Sequence, residues 1–170
     1  MTRLNPSSLL FAALAISQVF IALVSAAELK LGGLYTIQQS PFYFGVAVSS
    51  TGKSIDVSAV EKKKAAVWKL ESGSSEGSFK LLHLFSNRYL TVLDAVEQGS
   101  KIGMETKPFD FRLENVAEGS DKYRISPSSV TTLTIQKKTD AVELVLQPKS
   151  DQQPGTDEWS FVELKKKPYV

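Results

Sequence analysis

The feature that most constrains this chain is a threefold repeat with a spacing of about 44 residues. Two aromatic series occur in the same order in each repeat: Tyr35, Phe79 and Tyr123 in the first, and Trp68, Phe111 and Trp159 in the second. A third, apolar series lies between them at 55–57, 102–104 and 144–146. Three series in one order indicate one supersecondary unit used three times. A unit of this length cannot bury its apolar face alone, so the three units must share a core.

The first 27 residues have the pattern of a secretory signal peptide. Arg3 is the only charge before Glu28, the stretch 9–24 is mostly apolar, and small residues follow at 25–27. A membrane anchor is disfavoured, because spanning a bilayer takes roughly 20 apolar residues and Ser17 and Gln18 interrupt this shorter run. The sequence therefore predicts a secreted protein without a membrane association after cleavage. It divides into a signal peptide (1–27), a folded domain (28–164) and a basic C-terminal tail (165–170).

The charge balance and the lack of cysteine exclude several classes of protein. The formal net charge is only +2, whereas binding to nucleic acid or to an anionic membrane calls for a clustered basic face. The chain has 0 cysteines, so a small disulfide scaffold is excluded. A chain of this length can instead bury enough surface to be stable without disulfides.

Within each repeat the sequence alternates between short strand-like segments and turn clusters. The stretch 132–136 alternates apolar and polar residues, as half-buried strands do, and clusters rich in Ser, Gly and Glu at 49–52, 72–78 and 118–121 indicate turns. Only 57–68 has room for a helical turn. The domain is therefore predicted to be all-β. Three repeats of about four strands each resemble the β-trefoil proteins, which implies twelve strands around a pseudo-threefold axis. A propeller or a sandwich fits a threefold repeat less well.

Residue types that support catalysis are scarce. The single histidine, His83, lies in an apolar strand pattern, where the neighbouring Leu82 and Leu84 are expected to face inward and His83 outward or partly buried with a satisfied partner. The chain has no Gly-x-Ser-x-Gly motif for a serine nucleophile and no dinucleotide or phosphate loop. A zinc site of ordinary composition needs more than one histidine in a chain without cysteine. We therefore expect a binding protein rather than an enzyme, with no cofactor and no metal site.

One class of trefoil proteins, the ricin-type lectins, shares part of the pattern. Those lectins carry a Gln-x-Trp signature at the fourth strand of each unit, and here Ala66, Phe109 and Asp157 stand in place of the glutamine. An aspartate that hydrogen-bonds sugar hydroxyls is also typical, and Asp94 and Asp140 recur in phase within Asp-Ala-Val-Glu segments. These two aspartates are candidate sugar-binding residues. The alternative is a retained turn sequence without a ligand.

The two ends of the domain resemble a second class, the mushroom β-trefoil serine-protease inhibitors of the cospin type. The opening matches in a Gly-x-Tyr-x-Ile strand at 33–37, followed by an aromatic residue before Gly45. The closing matches in an alternating strand at 142–148, a proline at Pro154 and the Glu-Trp pair at 158–159. The resemblance implies a secreted inhibitor of a serine endopeptidase.

In the inhibitors that the chain resembles, the loop between the second and third strands enters the protease. The corresponding residues are Thr51, Gly52, Lys53 and Ser54, with Lys53 suited to the acidic specificity pocket of a trypsin-like enzyme. Asn87 and Arg88, in a turn of the second repeat, form the second candidate loop. The expected partner is therefore a serine protease. Alternatives are a glycan or, for an extracellular effector on the same scaffold, another protein. We expect a monomer.

Overall fold

The computed structural model describes residues 29–48, 55–138, 143–149 and 155–165. Twelve strands lie in this part of the chain: β1 (Leu34–Gln39), β2 (Phe42–Val48), β3 (Ile55–Val60), β4 (Trp68–Ser72), β5 (Phe79–His83), β6 (Arg88–Val92), β7 (Ile102–Glu105), β8 (Phe111–Asn115), β9 (Lys122–Pro127), β10 (Leu133–Lys137), β11 (Leu144–Pro148) and β12 (Trp159–Glu163). The helical element that the sequence allowed is a single 3₁₀ turn at Lys62–Lys64. No helix of the described residues has the length and apolar character needed to cross a bilayer.

Six strands form a closed barrel, in which β1 pairs with β4, β4 with β5, β5 with β8, β8 with β9, β9 with β12, and β12 with β1. The two aromatic series of the sequence meet within this barrel as direct cross-strand partners: Tyr35 with Trp68, Phe79 with Phe111, and Tyr123 with Trp159. Cross-strand aromatic pairs stabilise antiparallel ladders. The threefold repeat therefore marks the places where the first and fourth strands of each unit meet.

The other six strands form three hairpins, β2–β3, β6–β7 and β10–β11. The hairpins also contact one another through single bridges: Asp56 with Gly103, Ser58 with Glu143, and Lys101 with Val145. Each hairpin thus touches the other two around the pseudo-threefold axis. A six-stranded barrel joined to three such hairpins is the β-trefoil architecture, so the predicted fold is confirmed.

The core is built in layers of equivalent residues from the three repeats. Three sets of equivalent side chains are fully buried: Ile37, Leu81 and Ile125; Trp68, Phe111 and Trp159; and Phe44, Leu90 and Ile135. The rings of Phe44 and Trp159 meet edge to face, with centroids 4.5 Å apart. This shared core explains how the domain is held together without disulfides, since each repeat contributes its apolar face to the same interior.

The expectation that Leu82 faces inward is wrong, whereas the second expectation for His83, burial with a satisfied partner, agrees with the structure. Leu81 and His83 face the interior, opposite Leu70 and Trp68, whereas Leu82 is half-buried on the other face. The reason is the repeat itself, because Leu81 is equivalent to Ile37 and Ile125 and must share their inward direction. His83 is consequently buried, at 8% exposure.

Candidate functional site

The structure describes only some of the residues that the sequence singled out. Thr51, Gly52, Lys53 and Ser54 of the candidate protease-binding loop lie outside the described residues, as does Asp140. Asn87, Arg88 and Asp94 are described, and they lie in two separate turns.

Asn87 and Arg88 lie at the tight turn that joins β5 to β6. Asn87 has a left-handed backbone (φ 54°), and its amide donates to the His83 carbonyl at 3.1 Å. Arg88 begins β6 and pairs with His83 across the hairpin. Phe85, at the tip of the same turn, is 56% exposed. The turn thus presents an aromatic ring and a cation on a compact hairpin.

His83 supports this turn from beneath. Its Nδ1 lies 2.8 Å from the Ser86 hydroxyl, and its ring packs 5.4 Å from the Trp68 ring. Burial lowers the pKa of His83, because a charged imidazole loses its hydration there. A neutral histidine held in this way has a structural role in the turn.

Asp94 lies in the loop between β6 and β7, with its side chain exposed and its backbone left-handed (φ 65°). The loop is fixed by its own hydrogen bonds: the Ser100 hydroxyl donates to the Ala95 carbonyl at 2.6 Å, and the Gly99 amide donates to the Leu146 carbonyl at 2.7 Å. An aspartate tolerates the left-handed conformation that such a turn needs. The backbone geometry therefore explains the Asp-Ala-Val-Glu segment at 94–97 as a turn sequence.

A polar cleft of about 400 Å³ lies on the outer face of the β8–β9 hairpin, and we call it the Arg112 cleft. Its lining comes from several segments of the chain: Gly77, Arg112, Leu113, Glu114, Ser126, Thr131 and Lys149. Arg112 and Ser126 are direct partners in the β8–β9 ladder, so their side chains leave the sheet on the same face. Leu113 and Ile125 pair on the opposite face, toward the core.

Gly77 forms one wall of the Arg112 cleft from the turn between β4 and β5. Its backbone is left-handed (φ 70°), which favours glycine. A Cβ atom placed on Gly77 would lie 3.9 Å from Nη1 of Arg112, so this turn borders the guanidinium. Thr131, in the connection between β9 and β10, and Lys149, directly after β11, complete the cleft.

Ser126 is the unusual residue of the cleft. Its side chain is only 2% exposed, yet its hydroxyl has no hydrogen-bond partner among the described residues. Buried polar groups in folded proteins are nearly always hydrogen-bonded. A buried hydroxyl without a partner, in a residue that lines a cleft, marks this cleft as a candidate ligand site.

The charged groups of the cleft are arranged unevenly. Lys149 Nζ lies 2.7 and 2.6 Å from the two carboxylate oxygens of Glu114, so these two charges compensate each other. The guanidinium of Arg112 forms no ion pair or hydrogen bond with the described residues, and its side chain is exposed. The cleft thus holds one uncompensated positive charge beside several hydrogen-bonding groups.

The equivalent positions of the other two repeats carry different chemistry. The ladder pair that corresponds to Arg112 and Ser126 is Lys69 with Leu82 in one case and Ser160 with Gln38 in the other. Lys69 Nζ lies 2.7 Å from Glu71. This hydrogen bond raises the pKa of Lys69 and lowers the pKa of Glu71. The Lys69 charge is therefore already satisfied, and Leu82 offers no hydroxyl.

A second cleft, of about 360 Å³, lies near the end of the β2–β3 hairpin. It is lined by Phe42, Ser58, Ala59, Val60, Glu61 and Lys64. Lys137 Nζ lies over the Phe42 ring, 4.8 Å from its centroid, and so covers the aromatic face that a sugar could stack on. Val60 also packs directly onto Gly45 of the neighbouring strand, with no room for a Cβ there. Lys137 therefore occupies one position at which a sugar could stack on Phe42.

The positions that hold glutamine in the lectin signature are part of the interior. Ala66 is buried, and the Phe109 ring packs 4.9 Å from the Phe111 ring. Asp157 is completely buried and accepts a hydrogen bond from Arg124 Nε at 2.9 Å. The described residues also contain no group of three or more acidic or histidine side chains that could hold a metal ion.

Sequence reasoning did not find the Arg112 cleft. Its residues come from five separate segments, and none of them stands in a recognisable motif. The one signal was the repeat, since the two aromatic series place Arg112 in the strand that begins at Phe111 and Ser126 in the strand that contains Tyr123. The repeat does not predict the register that pairs these two residues, and it does not predict that Thr131 and Lys149 close the cleft.

No protein-family model and no curated protein matches this chain. Several solved structures match the chain in their fold. The ricin B-like lectin of Macrolepiota procera in complex with lactose has a TM-score of 0.63 and 15% identity, over 79% of this chain and 97% of that chain. The Rhizoctonia solani agglutinin has a TM-score of 0.67 and 11% identity, over 81% of this chain and 100% of that one. The Polyporus squamosus lectin bound to a sialylated epitope has a TM-score of 0.65 and 15% identity, over 80% of this chain and 50% of that chain. At these identities the likeness shows the fold, and the chain has the β-trefoil fold of these fungal lectins.

Proposed function

We propose that this protein is a carbohydrate-binding β-trefoil and that it binds sugar in the Arg112 cleft. The observation that carries the proposal is Ser126, a residue that lines the cleft and whose buried hydroxyl has no partner among the described residues. Saccharides present many hydroxyl groups, each of which donates and accepts hydrogen bonds. A concave site with a few convergent polar groups is suited to such a ligand.

The cleft offers both kinds of hydrogen-bonding group. Arg112 and Lys149 donate, Glu114 accepts, and the hydroxyls of Ser126 and Thr131 can do either. The structural neighbours favour the same function, since their descriptions include a lactose complex and a complex with a sialylated trisaccharide. We infer binding without catalysis, because glycoside hydrolysis uses a pair of carboxylic acids and the lining of the cleft contains one, Glu114.

A glycan array with the purified protein tests this function. The parent is compared with Ser126→Ala, which removes the free hydroxyl from the cleft, and with Asp94→Ala, which tests the aspartate that the sequence suggested. We expect glycan binding by the parent and by Asp94→Ala, and weaker binding by Ser126→Ala. The absence of any glycan signal from the folded parent would reject the function. A signal lost only in Asp94→Ala would move the site to the β6–β7 loop.

Protease inhibition is the second candidate function. The observation that favours it is the register of the β2–β3 hairpin, where Val48 pairs with Ile55. This pair fixes the two residues that flank the segment with Lys53, and fixed flanking residues reduce the conformational entropy that a binding segment loses in a complex. The structural neighbours named above lend this function no support.

We also propose that the protein is secreted after removal of residues 1–27. The support is the apolar, nearly uncharged N-terminal stretch that ends in Ser25, Ala26 and Ala27. N-terminal sequencing of the protein recovered from the medium of a eukaryotic host should begin at Glu28. Retention of the protein in cells with Met1 at its N-terminus would contradict the proposal.

A further inference from the structure

We infer that the ligand of the Arg112 cleft is an acidic saccharide, a sugar that carries a carboxylate such as a uronic or sialic acid unit. This inference rests on the proposed function and adds the chemical class of its ligand. It follows from three features of the cleft: the uncompensated guanidinium of Arg112, the unpartnered buried hydroxyl of Ser126 on the neighbouring strand, and the carboxylate of Glu114, two residues after Arg112 on the same strand.

The first feature is the charge of Arg112. Its guanidinium has no ion pair or hydrogen bond among the described residues, while the neighbouring Lys149 is held by Glu114 at 2.6 Å. The cleft therefore has one positive charge to offer a ligand. A guanidinium binds a carboxylate through two parallel hydrogen bonds, a geometry that neutral hydroxyl groups do not match. One planar monoanion is the group that completes this side of the cleft.

The second feature is the position of Ser126 relative to Arg112. The two residues are direct ladder partners, and opposite residues of an antiparallel pair have Cα atoms about 4.5–5.5 Å apart. The hydroxyl of Ser126 is thus placed beside the base of the Arg112 side chain. A saccharide whose carboxylate is held by Arg112 can direct a ring hydroxyl from the guanidinium toward this donor at the sheet. Binding would satisfy a buried group that the protein leaves without a partner.

The third feature is Glu114, which distinguishes a sugar acid from a bare anion. Both of its oxygens accept from Lys149, but a carboxylate has about four acceptor positions and two remain. Those positions suit the hydroxyl groups of a saccharide ring. The same negative charge disfavours a ligand with many charges, such as a polysulfated chain. A single carboxylate beside several hydroxyls matches the cleft as a whole.

The chain contains its own control for this site. Lys69 is the basic residue at the position equivalent to Arg112, but it is bound to Glu71 at 2.7 Å and faces Leu82 in place of Ser126. Lys69→Gln and Arg112→Gln change the net charge by the same amount at equivalent positions of the barrel. A general effect of charge would act equally in both variants, whereas a site at Arg112 distinguishes them.

The test compares glycans in matched sets on an array and then by calorimetric titration. Each set contains a carboxylated glycan, the same glycan with its carboxyl group reduced to an alcohol, and a sulfated counterpart. The proteins are the parent, Arg112→Gln, Arg112→Lys and Lys69→Gln, each checked for folding by circular dichroism. We expect the parent to bind the carboxylated member at least about 10-fold more tightly than the reduced one. Arg112→Gln should lose this preference, Arg112→Lys should keep part of it, and Lys69→Gln should keep all of it.

The outcomes separate this inference from the function on which it rests. Equal binding of carboxylated and reduced glycans would overturn the acidic ligand and leave carbohydrate binding intact. A preference for the sulfated members would overturn the carboxylate in favour of another anion. A preference that survives in Arg112→Gln, or disappears equally in Lys69→Gln, would overturn the assignment to this cleft. No binding to any member by the folded parent would overturn the function itself, and this inference with it.

Discussion

Arg124, which is partly buried, and Asp157, which is fully buried, form an ion pair in the third repeat, with Arg124 Nε donating to Asp157 Oδ2 at 2.9 Å. Asp157 has 0% exposure and also accepts from the Thr134 hydroxyl at 3.4 Å. It lies two residues before Trp159, where the lectin signature has glutamine. The pair connects β9 to the start of β12, so this position serves the fold of the third repeat.

Replacing Asp157 by asparagine should be strongly destabilising. The substitution keeps the shape of the side chain but removes the buried negative charge that faces Arg124. Breaking a buried pair in this way costs about 3–5 kcal/mol. Chemical denaturation measures the free energy of unfolding, with Glu163→Gln as the control. Glu163 pairs with Lys30 at the surface, at 3.5 Å, and its loss should cost no more than about 1 kcal/mol. Equal costs in both variants would contradict the structural role of Asp157.

Trp68→Ala should remove a large part of the stability of the domain. Trp68 is fully buried and is the ladder partner of Tyr35, and truncation of a buried aromatic residue costs about 3–5 kcal/mol. Phe85→Ala is the matched control, since Phe85 is 56% exposed and its truncation should cost less than about 1 kcal/mol. Thermal and denaturant unfolding measure both. A Trp68→Ala variant as stable as the parent would refute the shared threefold core.

Stability should fall in mild acid because of His83. Burial lowers the pKa of His83 in the folded protein below its usual 6.5, so the unfolded chain binds the proton more readily. The stabilising contribution is therefore complete above about pH 6.5 and is lost as the pH falls through the folded-state pKa. Denaturation of the parent and of His83→Gln at pH 7.5, 6 and 5 measures this dependence. The parent should lose more stability over the range than the variant does. The same pH profile in both proteins would assign the acid sensitivity to other groups.

Ser126→Ala should leave the fold intact or make it more stable. The Ser126 hydroxyl is buried without a partner among the described residues, and leaving a polar group in that state costs about 1–3 kcal/mol. Its removal should raise the free energy of unfolding by up to about 1 kcal/mol.

Ser78 provides the control for this change. It is equally buried, but its hydroxyl donates to the Ser75 carbonyl at 2.7 Å. Ser78→Ala should therefore lower the free energy of unfolding by about 1 kcal/mol. Destabilisation by Ser126→Ala to the same extent as by Ser78→Ala would mean that the Ser126 hydroxyl supports the fold and is not free for a ligand.

Lys53→Ala tests the inhibitor function. If the segment between β2 and β3 enters the active site of a trypsin-like protease, Lys53 fills the specificity pocket, and its removal should weaken inhibition by at least about 2 kcal/mol. Titration of trypsin with the parent, Lys53→Ala and Arg88→Ala measures the inhibition constants. Equal inhibition by the parent and Lys53→Ala would exclude this loop, and a loss confined to Arg88→Ala would place the contact at the β5–β6 turn. Simple digestion of the parent at Lys53 would exclude inhibition.

The sequence predicts the barrel well because a repeated fold repeats its core. Tyr35, Phe79 and Tyr123 are each the first or second residue of a barrel strand, and each pairs with the aromatic residue that begins the fourth strand of the same unit. Strand β5 shows where a local pattern misleads. Its segment, Leu81-Leu82-His83-Leu84-Phe85, is apolar at nearly every position. Apolar and polar residues therefore do not alternate there, and the pattern does not show which side chains face the core. Only the comparison of Leu81 with Ile37 and Ile125 identifies the buried face.

The candidate site was less predictable because its chemistry breaks the repeat. Arg112 is flanked in sequence by core residues, and Ser126 lies in an ordinary strand pattern. Lys149 reaches Glu114 from a position 35 residues further along the chain. Such contacts depend on how the segment after β11 lies against the β8–β9 hairpin, and the spacing of residues in the sequence does not predict this.

The different ladder pairs of the three repeats have a consequence for valency. Arg112 with Ser126, Lys69 with Leu82, and Ser160 with Gln38 occupy equivalent places in the barrel, but only the first pair joins a cation to a hydroxyl. A chain that binds sugar through this pair alone carries one site and cannot bridge two glycans by itself. As a monomer it would coat a glycosylated surface without cross-linking it. Agglutination of cells would then fail to detect its activity, and direct binding measurements are required.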